Sequence, residues 1–497
     1  MRSGFSRWRG VAEIPLAVWA GMAVYAGGFA ALAVQEHRAF ETGRFDLGNM
    51  VQAVWSTAHG RPLDVTELDG EQINRLGAHV DPILAAFAPL WWLWPSPAML
   101  LVVQAVVVAL GALPAFWLAR KHLNSERLGT LFALVYLLYA PVQWLPLDEF
   151  HPVAFACPLL LFAVWYLDEE RLAAALPFLA LAVLTKEEVP LVVAALGIWY
   201  ALARGQRIAG AALAVAGTAV GAFYLAVVIP HFREGAAPAF YDRYDAVGGS
   251  PTGILETAFT DPLVLVRAVT EGRDLAYLLQ LALPLAAAFV VAPLMLLPAL
   301  PELAANLLSD VSNQTSIEFH YTAPIAPFLV AGAIFGAARV PRLIPVVLVA
   351  SLAGAVFLGP LWAGELRPDR ISDHDRIAER AVELIPSDAP VSSTNGLGAH
   401  FSARRRVFSF PVIRESEWVA VDLRRASYLD RRSAPSTTAV PLARLRRSGA
   451  WETVLEDDGI FVLRRRTAAT STTASASRSA SRTTTSHTIP WSSKSSR

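Results

Sequence analysis

Long apolar runs recur along this chain of 497 residues, and they constrain its fold more than any other feature. The first run, Val11 to Val34, contains one charged residue, Glu13. A helix that crosses a bilayer needs about 20 predominantly apolar residues. Only 17% of the chain is charged, against about 25% in soluble domains. The sequence therefore predicts a mainly α, polytopic transmembrane protein that is embedded in the lipid bilayer.

The distribution of basic residues predicts how the chain is threaded through the membrane. About eleven spans fit between residues 11 and 362 at the usual helix length. Lys and Arg concentrate in cytoplasmic loops, which predicts a multi-pass protein of the cytoplasmic membrane with residues 1–10 in the cytoplasm and external loops at 35–79 and 231–274. Loops assigned to the inside hold Arg120, Lys121, Arg127, Arg171, Arg204, Arg207, Arg339 and Arg342, whereas short loops assigned to the outside hold only Lys186.

One segment controls this topology. Leu275 to Leu308 is about twice as long as a short span and contains four prolines. Because proline interrupts helices, we predict a tight helical hairpin here. A miscount at this point would move everything after it to the other side of the membrane.

Beyond Trp362 the composition becomes that of a soluble domain. Residues 363–466 are predicted to form a small extracytoplasmic α/β domain. The Ser/Thr-rich residues 467–497 cannot bury a core and are predicted to be disordered. Within the domain the pattern predicts a helix at Asp373–Ile385, capped by Ser372, and strands at Arg406–Phe410, Trp418–Leu423 and on both sides of Asp457-Asp458-Gly459.

Charge and cysteine content exclude other classes. The formal net charge is zero, which argues against a nucleic-acid partner because neutralising phosphates needs a basic excess. The single Cys157 lies in an apolar run, so neither a disulfide framework nor a cysteine metal site is expected.

Four polar clusters stand at the edges of the apolar runs, and the predicted threading puts all of them on the external side. We therefore expect them to converge on one site built around Asp46. The clusters are Arg44-Phe45-Asp46-Leu47-Gly48-Asn49, Asp148-Glu149-Phe150-His151, Lys186-Glu187-Glu188 and Glu318-Phe319-His320-Tyr321.

These clusters also carry a family resemblance over most of Phe45 to Arg466. In order along the chain the sequence resembles the bacterial and archaeal membrane proteins of domain-of-unknown-function family 2079. The motifs are Phe45-Asp46-Leu47-Gly48, His79-Val80-Asp81-Pro82, Asp148-Glu149-Phe150-His151-Pro152, Thr185-Lys186-Glu187-Glu188 and His320-Tyr321.

That architecture is in turn similar to the GT-C superfamily of membrane glycosyltransferases. The resemblance implies a polyprenyl-phosphate-linked sugar as donor and an acceptor outside the cytoplasmic membrane. Such enzymes carry a functional acidic residue in the first external loop, where this chain has Asp46. Many have a second acidic residue beside it, whereas Leu47 follows here.

Asp46 has two interpretations. As catalytic base it would accept the proton of the incoming acceptor hydroxyl, which contributes about 10²–10⁴-fold. As a structural residue it would cap the helix predicted to begin near Leu47, since Asp is a favoured N-cap. Arg44, two residues earlier, is assigned to substrate binding.

The remaining candidates are assigned to substrate binding, each beside a structural alternative. Asp148, Glu149 and His151 form a metal- or phosphate-binding shelf or else a solvated loop, and His79 with Asp81 has the same two interpretations. The sequence leaves the metal ligands and the cofactor unknown, and a divalent metal is one alternative. Lys186 would neutralise donor phosphate with Glu187 or Glu188 orienting it, or else a Lys–carboxylate pair pins two helices. His320 and Tyr321 would contact donor or acceptor, with an interfacial belt as the alternative for Tyr321.

The favoured function is thus a GT-C-like glycosyltransferase. Two other classes stay open. A transporter or lipid-binding protein would use the same acidic cavity, and a non-enzymatic assembly factor would bind through its external domain.

Overall fold

A computed structural model describes residues 14–433 and 438–466. The predicted cytoplasmic N-terminus 1–10 and the predicted tail 467–497 lie outside these ranges. The described chain is mainly helical and ends in a small sheet-containing region, which confirms the predicted fold class.

Among the described residues, four helices are long and apolar enough to cross a membrane, and six shorter apolar helices accompany them. The count of about eleven spans therefore stays a prediction, since helices of 10–17 residues cross a bilayer only where it is thin or where helices combine. The long helices are Leu16–Arg38, Pro97–His122, Arg207–Phe232 and Leu343–Ala363; the shorter ones are Pro82–Leu93, Pro152–Asp168, Leu172–Val183, Val189–Ala203, Pro293–Leu307 and Ala326–Arg339. The chain also forms helices at Glu126–Leu138, Ala140–Trp144, Pro251–Thr260, Pro262–Ala268 and Gly272–Ala282.

The first helix shows how these segments face protein on one side. Val18, Met22, Tyr25 and Phe29 are spaced by three or four residues and are all buried in the largest core cluster. The Tyr25 hydroxyl donates to the carbonyl oxygen of Val142 on a distant segment. Positions three and four apart share one face of a helix, so this stripe attaches the helix to the bundle.

Residues 272–307 are more irregular than the predicted hairpin. Helix Gly272–Ala282 is followed by short 3₁₀ turns from Leu283 to Ala299 and by helix Leu300–Leu307, so two continuous helices are not formed. The prolines break the backbone, and Ala286 and Ala287 take positive φ. Ser351 donates to the carbonyl oxygen of Pro284 at 2.8 Å, which supplies a partner that the broken helix lacks.

Seven strands form among the described residues. Two lie in a hairpin of the first long loop, β1 Asp64–Thr66 and β2 Gln72–Asn74; five lie in the C-terminal region, β3 Val391–Ser393, β4 Val407–Ser409, β5 Trp418–Asp422, β6 Trp451–Asp457 and β7 Ile460–Arg465. These five form one sheet in the order β4-β3-β5-β7-β6. β3 pairs in parallel with β4 and β5, while β7 is antiparallel to β5 and β6. The predicted helix is observed at Asp373–Glu383 with a capping box between Ser372 and Asp375. Helices Asn395–His400, Tyr428–Ser433 and Ala439–Arg447 accompany this sheet.

Arg44 joins the C-terminal sheet to the loop that follows the first helix. Its guanidinium donates to the carbonyl oxygens of Val407 and Thr66 and to the hydroxyl of Ser409. Arg44 is 3% exposed, and its planar fork of donors suits several acceptors at once. The C-terminal sheet is therefore fixed against the turn that carries Asp46.

Candidate functional site

Asp46 lies on a π-helical turn, Arg44–Gly48, that continues into helix Asn49–Ala58. The Glu149 carboxylate accepts hydrogen bonds from the backbone N–H of Gly43 and of Leu47, at 2.9 and 2.8 Å. Glu149 thus provides the capping carboxylate, and the helical segment begins at Arg44. The alternative of Asp46 as the cap of a helix beginning near Leu47 is wrong for this reason.

The C-terminal region holds the same turn from its other side. The amide oxygen of Asn395 accepts the backbone N–H of Phe45 at 3.1 Å. A Cβ placed on Gly48 would lie 2.4 Å from the hydroxyl oxygen of Ser402, so this close approach requires glycine. Asp46 is left 41% exposed on a turn whose neighbours are fixed.

Asp46 is connected to three residues from two other segments, of which His151 is buried and Asp148 and His320 are partly buried. Its Oδ1 lies 3.5 Å from Nε2 of His151. The rings of His151 and His320 stack with centroids 3.7 Å apart. Asp148 Oδ2 lies 2.8 Å from Nδ1 of His320 and also accepts the backbone N–H of that residue at 2.7 Å. The structure thus brings together residues that are far apart in sequence.

Burial and neighbouring charges shift these groups in different directions. Burial raises the pKa of Asp148, against the lowering effect of His151. Burial alone would lower the pKa of His151, but the carboxylates of Asp148 and Asp46 outweigh it and raise that pKa. Burial followed by repulsion from His151 lowers the pKa of His320. The stacked pair therefore favours one charged imidazole beside one neutral imidazole.

Asp148, His151 and His320 also fit a metal ion by donor type and spacing. One ligand atom from each can be chosen so that all lie within 4.8 Å of one another. Two imidazoles and one carboxylate suit zinc and similar transition metals better than magnesium or calcium. Glu149 is not part of this set, because both of its oxygens bind backbone N–H groups.

A second cluster surrounds Lys186. Its Nζ lies 2.6 Å from Oε1 of Glu188 and 5.0 Å from the centre of the Tyr321 ring. The neighbouring Glu187 binds Nδ1 of His79 at 2.7 Å and the backbone N–H of Val80 at 2.9 Å. Glu187 is 5% exposed at its side chain, and Lys186 is 12% exposed.

The two clusters meet at consecutive residues. His320 belongs to the Asp46 side and Tyr321 to the Lys186 side, and their rings are 4.2 Å apart. The site therefore has an exposed carboxylate at one end and a mostly buried cation at the other, joined by His151 and His320.

Two candidates make structural contacts. Arg44 donates to the C-terminal sheet and the first loop, which favours a structural role, and its assignment to substrate binding stays a prediction. Asp81 is 2% exposed and receives three hydrogen bonds from Arg75, the shortest at 2.6 Å. This buried pair fixes the loop and leaves Asp81 little capacity for a ligand.

A family described as "Predicted membrane protein (DUF2079)" matches residues 36–462. The chain belongs to this family.

The fold of this DUF2079 chain is similar to a solved structure, that of ArnT from Cupriavidus metallidurans in the apo state. The similarity has a TM-score of 0.47 and 12% sequence identity, and it covers 84% of this chain and 93% of ArnT. A likeness at this level concerns the course of the chain and carries no conclusion about activity. No curated protein matches the sequence.

Two buried polar residues of the DUF2079 chain, Gln104 and Glu302, were not predicted from the sequence. Gln104 is 0% exposed; its amide nitrogen donates to the carbonyl oxygen of Glu149 at 2.6 Å, and its amide oxygen accepts the N–H of His151 at 2.9 Å. Glu302 is 2% exposed, and its Oε2 has no hydrogen-bond partner among the described residues. Both are polar residues within apolar runs, which is the signal that could have found them.

Proposed function

We propose that this integral membrane protein is a GT-C-like glycosyltransferase. It moves a sugar from a polyprenyl-phosphate donor to an acceptor on the side of the membrane that bears the Asp46 site. The observation that carries the proposal is the pairing of an exposed carboxylate, Asp46, with the buried groups behind it. We also propose that this side is extracytoplasmic, that the N-terminus is cytoplasmic, and that the host membrane is the cytoplasmic membrane.

The proposed reaction is a displacement at the anomeric carbon. The acceptor oxygen forms a bond to that carbon while the bond between the carbon and the phosphate oxygen breaks. The acceptor proton passes to Asp46, and the leaving polyprenyl phosphate keeps the bonding electron pair. A positioned base contributes about 10²–10⁴-fold to such a step.

His151 assists at the Asp46 end. Its Nδ1 lies 2.7 Å from the carbonyl oxygen of Asp148, which fixes the ring with Nε2 directed at Asp46. An imidazolium there would hold the carboxylate in place and share its charge. A divalent cation bound by Asp148, His320 and a neutral His151 would be the alternative source of positive charge at this point.

Lys186 serves the phosphate end. In the free protein its charge is satisfied by Glu188 and lies against the face of Tyr321. A phosphate that enters would compete with Glu188 for the ammonium group. Lys is a common phosphate-binding residue because it provides a compact charge with three donors.

The test is sugar transfer by the purified full chain in nanodiscs, supplied with polyprenyl-phosphate-linked hexoses radiolabelled in the sugar and with a cell-envelope extract as the source of acceptor. The readout is label that leaves the polyprenyl-phosphate donor and appears in acceptor. Asp46→Asn should reduce the rate by about 10²–10⁴-fold with little change in thermal stability. Asp69→Asn is the matched control, because Asp69 is an exposed aspartate of the same loop. Full activity of Asp46→Asn would contradict the role of Asp46 as the catalytic base.

A lipid-binding or transport function is the second candidate, favoured by the broken backbone from Leu283 to Ala299. Irregular backbone at membrane depth is tolerated where it lines a cavity. This candidate predicts that labelled donor crosses the bilayer or stays bound with its sugar intact, and that Asp46→Asn leaves this unchanged.

A further inference from the structure

Two consecutive helices in the second long loop have no buried residue. Pro251–Thr260 and Pro262–Ala268, here called the outer helix pair, expose large apolar side chains. Leu255 is 61% exposed, Phe259 88%, Leu263 61% and Val266 53%. Large apolar side chains left uncovered in this density mark an interaction surface.

The outer helix pair has the composition of a helix that lies in a membrane interface. Its charged residues are Glu256, Asp261 and Arg267, and the rest of residues 251–270 is apolar or small and polar. Leu255 and Phe259 are four positions apart and therefore share a face. An amphipathic helix of this kind places its apolar face about 5–10 Å into the boundary between headgroups and acyl chains.

The exposed apolar surface continues onto a helix that packs on the largest core cluster through Tyr277. Helix Gly272–Ala282 follows directly and exposes Leu275 and Leu279, and Leu283 comes next with 58% exposure. In a membrane protein such side chains face lipid. The continuity of this surface favours lipid over a second protein as the partner of the outer helix pair.

The outer helix pair is connected to the Lys186 end of the site by the segment that precedes it. The 3₁₀ segment Ala239–Val247 precedes it, and Phe240 of that segment stacks on His79 with centroids 5.9 Å apart. His79 in turn binds Glu187, the neighbour of Lys186. The connecting turn is tight, since a Cβ on Gly253 would lie 1.9 Å from the carbonyl oxygen of Gly248.

We propose that residues 251–270 lie in the leaflet on the side of the candidate site, with Leu255, Phe259, Leu263 and Val266 embedded among the lipids. This location puts the His79–Glu187 pair and Lys186 near headgroup level, where the phosphate of a membrane lipid resides. That second consequence rests on the proposed function, whereas the embedding does not.

Single-cysteine labelling tests the embedding. Cys157 is fully buried, so the wild-type chain provides an almost silent background for a thiol-reactive, environment-sensitive fluorophore. Phe259→Cys and Leu263→Cys report on the outer helix pair. Leu352→Cys is the lipid control, because Leu352 is 59% exposed on helix Leu343–Ala363, which is long and apolar enough to cross a membrane. Arg376→Cys, on an exposed position of the C-terminal region, is the water control.

The labelled proteins are placed in phosphatidylcholine nanodiscs and quenched either by iodide or by lipids that carry a spin label near the headgroup or deep in the acyl chain. We expect the labels at 259 and 263 to be protected from iodide, as at 352, and to be quenched best by the shallow spin label. Iodide quenching equal to that at 376 would overturn the proposal. Protection from iodide and from both spin labels would also overturn it, because a protein surface would then cover the pair. Neither quenching result depends on sugar transfer. The embedding of residues 251–270 and the proposed function are therefore tested independently.

Discussion

Glu149, and not Asp46, caps the turn on which Asp46 lies. Glu149 accepts the backbone N–H of Leu47 at 2.8 Å, so the turn is capped while the neighbouring Asp46 carboxylate stays 41% exposed. Burial, and then the charge of Asp46, raise the pKa of Glu149. Burial and the nearby Asp46 thus disfavour the charged form of Glu149, and the two backbone N–H groups that it accepts partly offset this effect.

Removing Glu149 should therefore displace Asp46. In Glu149→Ala two N–H groups lose their acceptor, which costs about 0.5–2 kcal/mol for a cap. Glu149→Gln keeps an acceptor oxygen without the charge and should lose less stability. Thermal unfolding in nanodiscs beside sugar transfer is the measurement. If Glu149→Ala kept both properties, the turn would not depend on this cap.

Binding of a transition metal should stabilise the wild-type chain. A ligand present at about 100 times its dissociation constant adds about 2.7 kcal/mol to folding stability. We expect zinc or manganese to raise the melting temperature, and His320→Ala to abolish the increase. Glu318→Ala is a suitable control, because Glu318 is an exposed residue two positions away. An equal increase in both variants would place the metal elsewhere.

Arg44 should control attachment of the C-terminal region. Lysine cannot reproduce the planar fork that serves Val407, Thr66 and Ser409. Arg44→Lys should leave buried carbonyl groups unsatisfied, at about 1–3 kcal/mol for each lost partner. Limited proteolysis should then release the region after residue 366 sooner than in wild type. The exposed Arg405→Lys should behave as wild type, and equal release from both variants would contradict the structural role of Arg44.

Glu187 should stabilise the protein in a defined pH range. Burial alone would raise its pKa, but His79, followed by Lys186 and the Val80 N–H, lowers it to about 2. A depressed folded pKa contributes stability above the unfolded value, near 4.3, and this contribution is lost as pH falls toward the folded value.

The corresponding variant is Glu187→Gln. Its melting temperature should fall below that of wild type at pH 7, and the difference should shrink as pH decreases below about 4.3. The contribution is on the order of 3 kcal/mol at neutral pH. A difference that stays constant from pH 7 to the acid limit of folding would show that charge is not responsible.

Sequence patterns predicted the class of fold because each signal was local. The length of the apolar runs predicted the helical body, and Ser372 as a cap predicted one helix of the C-terminal region. The hairpin predicted over Leu275 to Leu308 was too regular, because proline positions show where a helix breaks but not how its carbonyls find partners such as Ser351.

The site was harder to predict because its geometry depends on long-range pairing. His320 and Asp148 are hydrogen-bonded across 172 positions, and no periodicity indicates such a contact. Arg44 carried the same sequence signal as a phosphate-binding arginine. Only its contacts with β4 distinguish a structural tie from a ligand.

Substitutions of Lys186 and of Glu188 should change the affinity for a lipid phosphate in opposite directions. The two side chains form an ion pair at 2.6 Å, so a bound phosphate must compete with Glu188. Lys186→Gln should weaken binding of farnesyl phosphate by about 10- to 100-fold, as expected for losing a charged hydrogen bond. Glu188→Gln should strengthen binding, because the ammonium group is then free and the repulsion between carboxylate and phosphate is removed.

The measurement is calorimetric titration of farnesyl phosphate into the full chain in nanodiscs, with farnesol as the uncharged control. The ratio of phosphate to alcohol affinity isolates the charge effect from apolar binding of the chain. Thermal unfolding of each variant shows whether the fold is kept. If the ratio changes in the same direction in both variants, Lys186 and Glu188 act as a structural pair that pins two helices. Opposite changes would make Lys186 the phosphate-binding residue and Glu188 its internal competitor.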